Sequence, residues 1–312
     1  MTTYNTNVTG NEISSAEIGQ NMAADLIQKA LVTNDWPTIK IENLELLQSP
    51  LLLSEQINGL GHAFTTRHGG QTPAPYESFN LGRNVAQGAL KADALANREL
   101  LCRLLGFNHS RLKVPGQVHS GHVVRIDQAD VEPDLSGVDA LATGLKEVPL
   151  LLHFADCVPV MIYERRKKLL AIAHAGWRGT AQSIVKNAVR TLTDDLGGSP
   201  AQMIAAVGPA IGPCCYPTGA DVIRQLLDTV SGDDSQNFKG RGEISAALVE
   251  ERADGSVRPN LKAFNALQLL QSGVSAVDVS NLCTACLPEL FYSHRQSAGI
   301  TGRQGAIACL KL

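Results

Sequence analysis

An apolar run that stops at a glycine-bearing polar segment, and then resumes with helical spacing, does most to limit how this 312-residue chain can fold. Leu169-Leu170-Ala171-Ile172-Ala173 reads as a buried strand, and Ile184, Val185, Ala188, Val189 and Leu192 then recur at helical intervals from Thr180 to about Leu196. Between the two lies His174-Ala175-Gly176-Trp177-Arg178-Gly179-Thr180. A strand-to-helix junction of this composition suits chemistry. Glycine lets backbone approach a ligand, a helix N-terminus favours anions, and an imidazole binds metal or moves protons. It also suits a plain glycine turn with a packed Trp and a capping His.

The same alternation extends along the chain. Strand patterns fall near Gly61–Thr65, Leu112–Val114, Val123–Ile126, Pro149–Phe154, Val158–Tyr163, Leu169–Ala173 and Met203–Val207. Helical patterns fall at Leu90–Leu105, Thr180–Leu196, Ala220–Val230 and Asn260–Gln271, with a short one at Met22–Val32. Such alternation specifies an α/β (α+β) domain. Residues 1–20, rich in Thr, Asn, Ser and Gly, read as disordered, which makes 1–38 an N-terminal extension of a single domain at 39–312. Ser231–Gly242 reads as a loop, and Arg165-Arg166-Lys167-Lys168 as the solvated turn of a hairpin.

A net charge of −3 gives no electrostatic footprint for nucleic acid. Val148–Phe154 is far too short to span a membrane, and no secretory signal pattern is visible. Seven Cys in a chain of this length read as reduced thiols of a cytoplasmic protein. No Gly-x-Gly-x-x-Gly follows a strand in the way that a dinucleotide cofactor requires.

Gln117-Val118-His119-Ser120 and Ala155-Asp156-Cys157-Val158-Pro159 are two further polar breaks in apolar patterns. With the first junction they make His119, Cys157 and His174 a candidate set of three N/S donors, the number a catalytic zinc uses while keeping its fourth position open. Spacing alone leaves packed side chains as the alternative. Asp156 reads either as a general base, or acceptor beside the metal ligand, or as a turn cap. Cys283-Thr284-Ala285-Cys286 looks like half of a zinc ribbon without its second half, so buried thiols are expected, and Cys214-Cys215 are expected to pack in their Gly/Pro-rich turn. His109 and His122 are expected to face solvent, and neither His62 nor His68 is expected to be a ligand.

The chain resembles the YfiH family, which has carried the labels laccase-like and polyphenol oxidase and whose members are described as purine nucleoside phosphorylases. The likeness rests on His62-Ala63-Phe64-Thr65-Thr66-Arg67-His68-Gly69-Gly70, Tyr76-Glu77-Ser78-Phe79-Asn80-Leu81-Gly82 and the three segments above. It continues in Gly208-Pro209-Ala210-Ile211-Gly212-Pro213-Cys214-Cys215-Tyr216, Leu282-Cys283-Thr284-Ala285-Cys286, Glu289-Leu290-Phe291-Tyr292-Ser293-His294-Arg295 and Thr301-Gly302-Arg303-Gln304. Departures include Asn260 where the family usually has Asp, and a missing Gly-Asp pair around Val85–Gly88.

The resemblance implies a layered sandwich with mixed sheets, shared with a cysteine-hydrolase-like fold. It also implies a catalytic zinc on His119, Cys157 and His174, with copper able to occupy the same donors in vitro. Purine nucleosides and phosphate are the implied partners. The implied reaction is phosphorolysis of adenosine, inosine and 5′-methylthioadenosine, with some adenosine deamination. Arg67 and Arg178 become candidates for contacts to phosphate or ribose, with Arg178 counted beside Asp156 as catalytic, and Asn80 for a ribose hydroxyl or base edge. Arg295 is a candidate substrate contact, with a plain surface Arg as the alternative. Two rivals remain: a Cys–His hydrolase with Cys157 as nucleophile, and an accessory role in peptidoglycan editing. A multicopper oxidase would need many His, often in His-x-His pairs, and none of the eight His forms one.

Overall fold

The computed structural model describes residues 24–83, 89–230 and 238–312. The first strands are β1 (Thr38–Ile41), β2 (Leu44–Leu47), β3 (Leu60–Thr65), β4 (Val123–Ile126), β5 (Ala140–Thr143) and β6 (Leu150–Phe154). They are followed by β7 (Val158–Glu164), β8 (Leu169–Ala175), β9 (Met203–Val207), β10 (Val249–Glu251), β11 (Val257–Pro259), β12 (Ala276–Val279) and β13 (Gln304–Leu310). The helices are α1 (24–31), α2 (Pro50–Leu53), α3 (Ala89–Leu105), α4 (Trp177–Ala181), α5 (Ile184–Arg190), α6 (Ala220–Asp228), α7 (Phe238–Leu248) and α8 (Leu261–Gln271).

Two sheets stack face to face. One is antiparallel, in the order β1-β2-β3-β13-β6. The other, β12-β9-β7-β8-β5-β4, is mixed, with β12 parallel to β9 and β4 parallel to β5. Strand alternation sorts the core into layers. In β8, Leu170 and Ile172 face the opposing sheet, while Leu169, Ala171 and Ala173 pack against helix residues such as Ile184, Val185 and Ala188. In β13, Ala306, Ala308 and Leu310 face the opposing sheet, and Ile307 and Cys309 meet Leu101 and Cys102 of α3. The result is an α/β/β/α sandwich whose two sheets are covered on both faces. Truncating an inter-sheet residue such as Leu152 to Ala should therefore cost about 2–5 kcal/mol.

Several sequence expectations are sharpened here. The helix expected over Thr180–Leu196 is broken: α4 starts at Trp177, Ser183 adopts a left-handed φ of 57°, α5 follows, and Thr191–Asp195 closes as a π-turn. The break has a purpose in the fold. Gln182 Oε1 accepts the Gly121 N–H at 3.1 Å and Asn187 Nδ2 donates to Gly121 O at 2.9 Å, so the two short helices clasp the loop that carries His119.

Leu112–Val114 forms a single bridge, Lys113 to Leu150, rather than a strand, because Pro115 has no N–H to extend the ladder. Residues 238–242, expected in a loop, are helical, and 231–237 lie outside the described residues. The disorder expected for 1–20 and the departure at Val85–Gly88 also fall outside them. Part of the expected extension is integral to the domain. Ile27 and Ala30 of α1 pack into the core, and the buried Asp278 carboxylate accepts Asn34 Nδ2 at 2.8 Å and Trp36 Nε1 at 3.2 Å.

Candidate active site

Three separate chain turns deliver three donors to one point. His174 is the penultimate residue of β8, where it pairs in register with Pro159 of β7. Cys157 lies just before β7, at the same end of that hairpin. His119 arrives on the loop before β4, held at a left-handed φ of 67°. The donor atoms of His119, Cys157 and His174 all lie within 4.8 Å of one another, and the two imidazole centroids are 4.9 Å apart. Gly176 makes this convergence sterically feasible. A Cβ there would sit 2.8 Å from Cys157 Sγ and 3.0 Å from His119 Cδ2.

A fourth residue, not singled out in the sequence, organises the other three. The fully buried Asp139 carboxylate accepts the N–H groups of Val118 (3.1 Å), His119 (3.0 Å) and Ser120 (2.7 Å), and the Ser120 hydroxyl at 2.8 Å. Its Oδ1 lies 2.8 Å from His174 Nδ1. The three amides form a concave anion nest, and closing it around the carboxylate holds His119 in its unusual backbone conformation. The bond to Nδ1 fixes the His174 tautomer and leaves Nε2 for a metal, the arrangement that supports most histidine ligands.

The electrostatics follow from these contacts. Burial alone would raise the Asp139 pKa, but the bonds from His174, Ser120 and Val118 outweigh it and hold the carboxyl well below its ordinary range. Burial likewise opposes ionisation of Cys157, yet the charge of His174 and the hydrogen bonds of both imidazoles pull its thiol down to about 6. His174 moves the opposite way. Its burial is overcome by the Cys157 charge and by Asp139, which favour the imidazolium. A depressed thiol beside two imidazoles is a ready ligand set for a thiophilic cation.

The three donors open onto a cavity of about 1020 Å³. Arg83, Arg98, Arg178, Arg295 and Arg303 line it, and among the described residues none of these five pairs with a carboxylate. Local contacts aim them. Arg98 Nε donates to Leu81 O at 2.8 Å and its Nη2 lies 3.1 Å from His153 Nε2. Because a guanidinium can only donate, His153 accepts at Nε2, and its burial together with the Arg98 charge keeps the ring neutral. Arg303 Nη1 donates to Thr301 O and Gly302 O at 2.8 Å, leaving Nη2 available. Arg178 stacks 4.4 Å over Trp177 and Arg295 5.0 Å over Tyr216. Burial pushes the Tyr216 hydroxyl up to about 12, so it stays a proton donor in the cavity.

The candidates expected from sequence divide clearly. Arg178, Arg295 and Asp156 line the cavity with His119, Cys157 and His174. Asp156 spends one carboxylate oxygen on Thr284 Oγ1 and the other on the Arg295 N–H, both at 2.7 Å, so it pins two loops to the cavity wall.

Arg67 and Asn80 are not brought to the cavity surface. Arg67 Nη1 donates to Pro288 O at 2.8 Å, its Nε and Nη2 donate to Glu77 O at 3.1 Å, and its guanidinium lies 5.0 Å over the Tyr292 ring. Asn80 is fully buried, and its Oδ1 accepts the N–H groups of Gly82 and Arg303 at 2.9 Å. It acts by placing Arg303.

His62 is buried away from the cavity and accepts the Ser49 N–H at 3.1 Å, with its pKa lowered to about 4 by burial. The Cys residues differ from expectation. Cys214 and Cys286 are exposed, and they converge with Cys215 and Cys283 into a four-thiol cluster outside this cavity.

Residues 61–311 match the model of the family described as multi-copper polyphenol oxidoreductase laccase. The chain belongs to this family, the YfiH or laccase-like proteins. Its relatives include YlmD of Geobacillus stearothermophilus, named a purine nucleoside phosphorylase, which is 36% identical over 248 residues covering 77% of this chain and 86% of the relative. The crystal structure of that protein superposes with a TM-score of 0.78 over 89% of this chain and all of the other. The crystal structure of Bacillus licheniformis YfiH superposes at 0.75, with 30% identity over 88% and 99% of the two chains. A family relative from an unknown prokaryotic organism, named adenosine deaminase RL5, is 29% identical over 85% of this chain and 97% of its own length. The mixed-sheet sandwich that the resemblance implied is thus the fold of the family.

Proposed function

We propose that this chain is a zinc-dependent purine nucleoside phosphorylase. It cleaves adenosine, inosine and 5′-methylthioadenosine with phosphate to free base and ribose or methylthioribose 1-phosphate, and it deaminates adenosine as a side activity. The observation that carries this reading is the sharing of one cavity by the His119–Cys157–His174 donor group and five guanidinium groups that have no carboxylate partner among the described residues. The names of the YlmD and RL5 relatives agree with it.

His119, Cys157 and His174 would hold the metal, with Asp139 fixing two of them. Zinc bound there supplies Lewis-acid activation within the cavity. Neither donor group found among the described residues is the His-rich cluster of a multicopper centre, and zinc is the ion that this reading assigns to the His₂Cys set.

The remaining demands fall on the chain itself. Cleaving an N-glycosidic bond develops positive charge on the ribose and negative charge on the departing purine, and phosphate must be held against C1′ throughout. Arg178, Arg295 and Arg303 supply bidentate donors for that phosphate, without acidic partners to compete. Neutral His153 anchors Arg98 at the same wall. The protonated Tyr216 hydroxyl donates to a ribose oxygen or a purine nitrogen.

A second reading has its own observation. Cys157, His174 and Asp139 also form a nucleophile–base–carboxylate series, with the thiol already depressed. His119 speaks against it, because a Cys–His hydrolase has no need of a third donor at the same point. Incubating metal-assayed protein with each nucleoside, with and without phosphate, tests the proposal. Free base should appear only with phosphate. Turnover by metal-free protein, abolished by alkylating Cys157, would favour the hydrolase.

A further inference from the structure

Two adjacent parallel strands, β9 and β12, release their chains at the same edge of the mixed sheet, and each following loop carries a pair of cysteines. Cys214 and Cys215 sit in the 3₁₀ turn after β9, and Cys283 and Cys286 in the loop after β12. A bridge between Ala210 and Cys283 holds the loops in register. Cys214 Sγ lies 3.5 Å from both Cys283 Sγ and Cys286 Sγ, and Cys215 Sγ is 3.4 Å from Cys286 Sγ. All four sulfurs lie within 4.8 Å of one another. A tetrahedron of thiolates around zinc has edges of about 3.8 Å, from a metal–sulfur distance of about 2.3 Å.

Three features outside the sulfurs fit an anionic cluster. The Gly212 N–H donates to Cys283 Sγ at 3.2 Å, as backbone amides do to metal-bound thiolates. A Cβ at Gly212 would lie 3.1 Å from Cys214 Sγ, so a bare backbone gives the cluster its room. Lys262, only 5% exposed, donates from Nζ to Ser280 O at 2.6 Å and Leu282 O at 3.0 Å, and among the described residues it has no carboxylate partner. The Leu282 carbonyl that it bonds directly precedes Cys283. A buried cation without a carboxylate is costly unless other negative charge offsets it. A four-thiolate zinc centre, with a net charge of −2, supplies that charge.

We infer that Cys214, Cys215, Cys283 and Cys286 form a second, closed metal site for a thiophilic divalent cation of the zinc class, separate from the His119–Cys157–His174 site. All four positions are filled by protein, so the ion there is structural. Binding displaces the thiol protons to solvent and clips the two loops together. Those loops supply Ile211 and Tyr216 to the cavity wall, and Thr284 to Asp156. The inference does not rest on the proposed reaction.

Metal counting on the full-length protein, purified under reducing conditions, tests it. Zinc should number two equivalents in the parent and one in either His119→Ala or Cys283→Ser/Cys286→Ser. Cobalt added to stripped His119→Ala protein should give the intense visible bands of a tetrahedral tetrathiolate centre, and Cys286→Ser alone should weaken them if the double variant does not fold. A single zinc in the parent that disappears in His119→Ala would overturn the inference. So would an inter-loop disulfide, found by non-reducing peptide mapping, in protein without a second metal.

Discussion

Replacing Asp139 probes the whole candidate site through one residue that touches no substrate. Its carboxylate accepts four hydrogen bonds from Val118, His119 and Ser120, and a fifth contact joins it to His174. Asp139→Ala leaves these buried donors unmet, and the expected loss of stability is about 3–5 kcal/mol, the range for breaking a buried charge pair. Nothing then offsets the left-handed backbone of His119, which itself costs roughly 1–2 kcal/mol. Asp139→Asn keeps the shape and one acceptor oxygen but removes the charge and aims an NH₂ at a donor. Its zinc affinity should fall about 10–100-fold, the usual effect of losing the carboxylate behind a histidine ligand.

Chelator competition measures that affinity, and urea unfolding of the stripped protein measures stability separately. The pH dependence has a definite sign. The folded pKa lies below the unfolded value near ~3.9, so the carboxylate's contribution is present above that value and is lost as pH falls through the folded pKa. Asp139→Asn binding zinc as tightly as the parent, while His119→Ala does not, would refute this role.

Gly176→Ala should lower zinc occupancy with little change in folding stability, because its Cβ would meet Cys157 Sγ and His119 Cδ2 but no packed core; metal content and thermal melts check this. Arg178→Gln should raise the KM for phosphate by roughly 10-fold or more, given ~1.5–3 kcal/mol for a charge-assisted bond, whereas Arg67→Gln should shift stability and leave that KM unchanged. In stripped protein, Cys157 should alkylate down to about pH 6, far below an ordinary thiol. The depressed thiol is ionised above about 6 and the raised imidazole protonated below about 9, so the ion pair stabilises the stripped protein between these limits and fades outside them. A pH series of iodoacetamide rates reads the first limit and urea midpoints read both.

The sequence made the strongest parts of the fold legible where local pattern and burial agree. The continuous apolar runs of β6, β7, β8 and β9 are buried on both faces, so their composition alone marks them. Polar breaks in apolar patterns marked His119 before β4, Cys157 before β7 and His174 near the end of β8 as candidates, while their joint role as ligands was implied only by the family resemblance. β13 was missed although it is central to its sheet, because Gln304-Gly305-Ala306 lacks the bulky β-branched signal of a strand. The break at Ser183 was unreadable for a different reason: it serves contacts to Gly121, distant in sequence. Asp139 has no local signature at all, since its partners lie 19–21 and 35 residues away. Arg98 and Arg303 reach the cavity from a helix and a late loop by the same long-range logic, and the two Cys pairs meet only because β12 lies beside β9.

Phosphorus NMR of protein mixed with inosine and phosphate tests the proposed reaction most directly. Ribose 1-phosphate should accumulate with hypoxanthine in equal amounts, vanish when the protein is stripped of metal or carries His119→Ala, and return to the stripped parent with added zinc. Hypoxanthine released without ribose 1-phosphate, or phosphorolysis that survives the loss of His119, would contradict it.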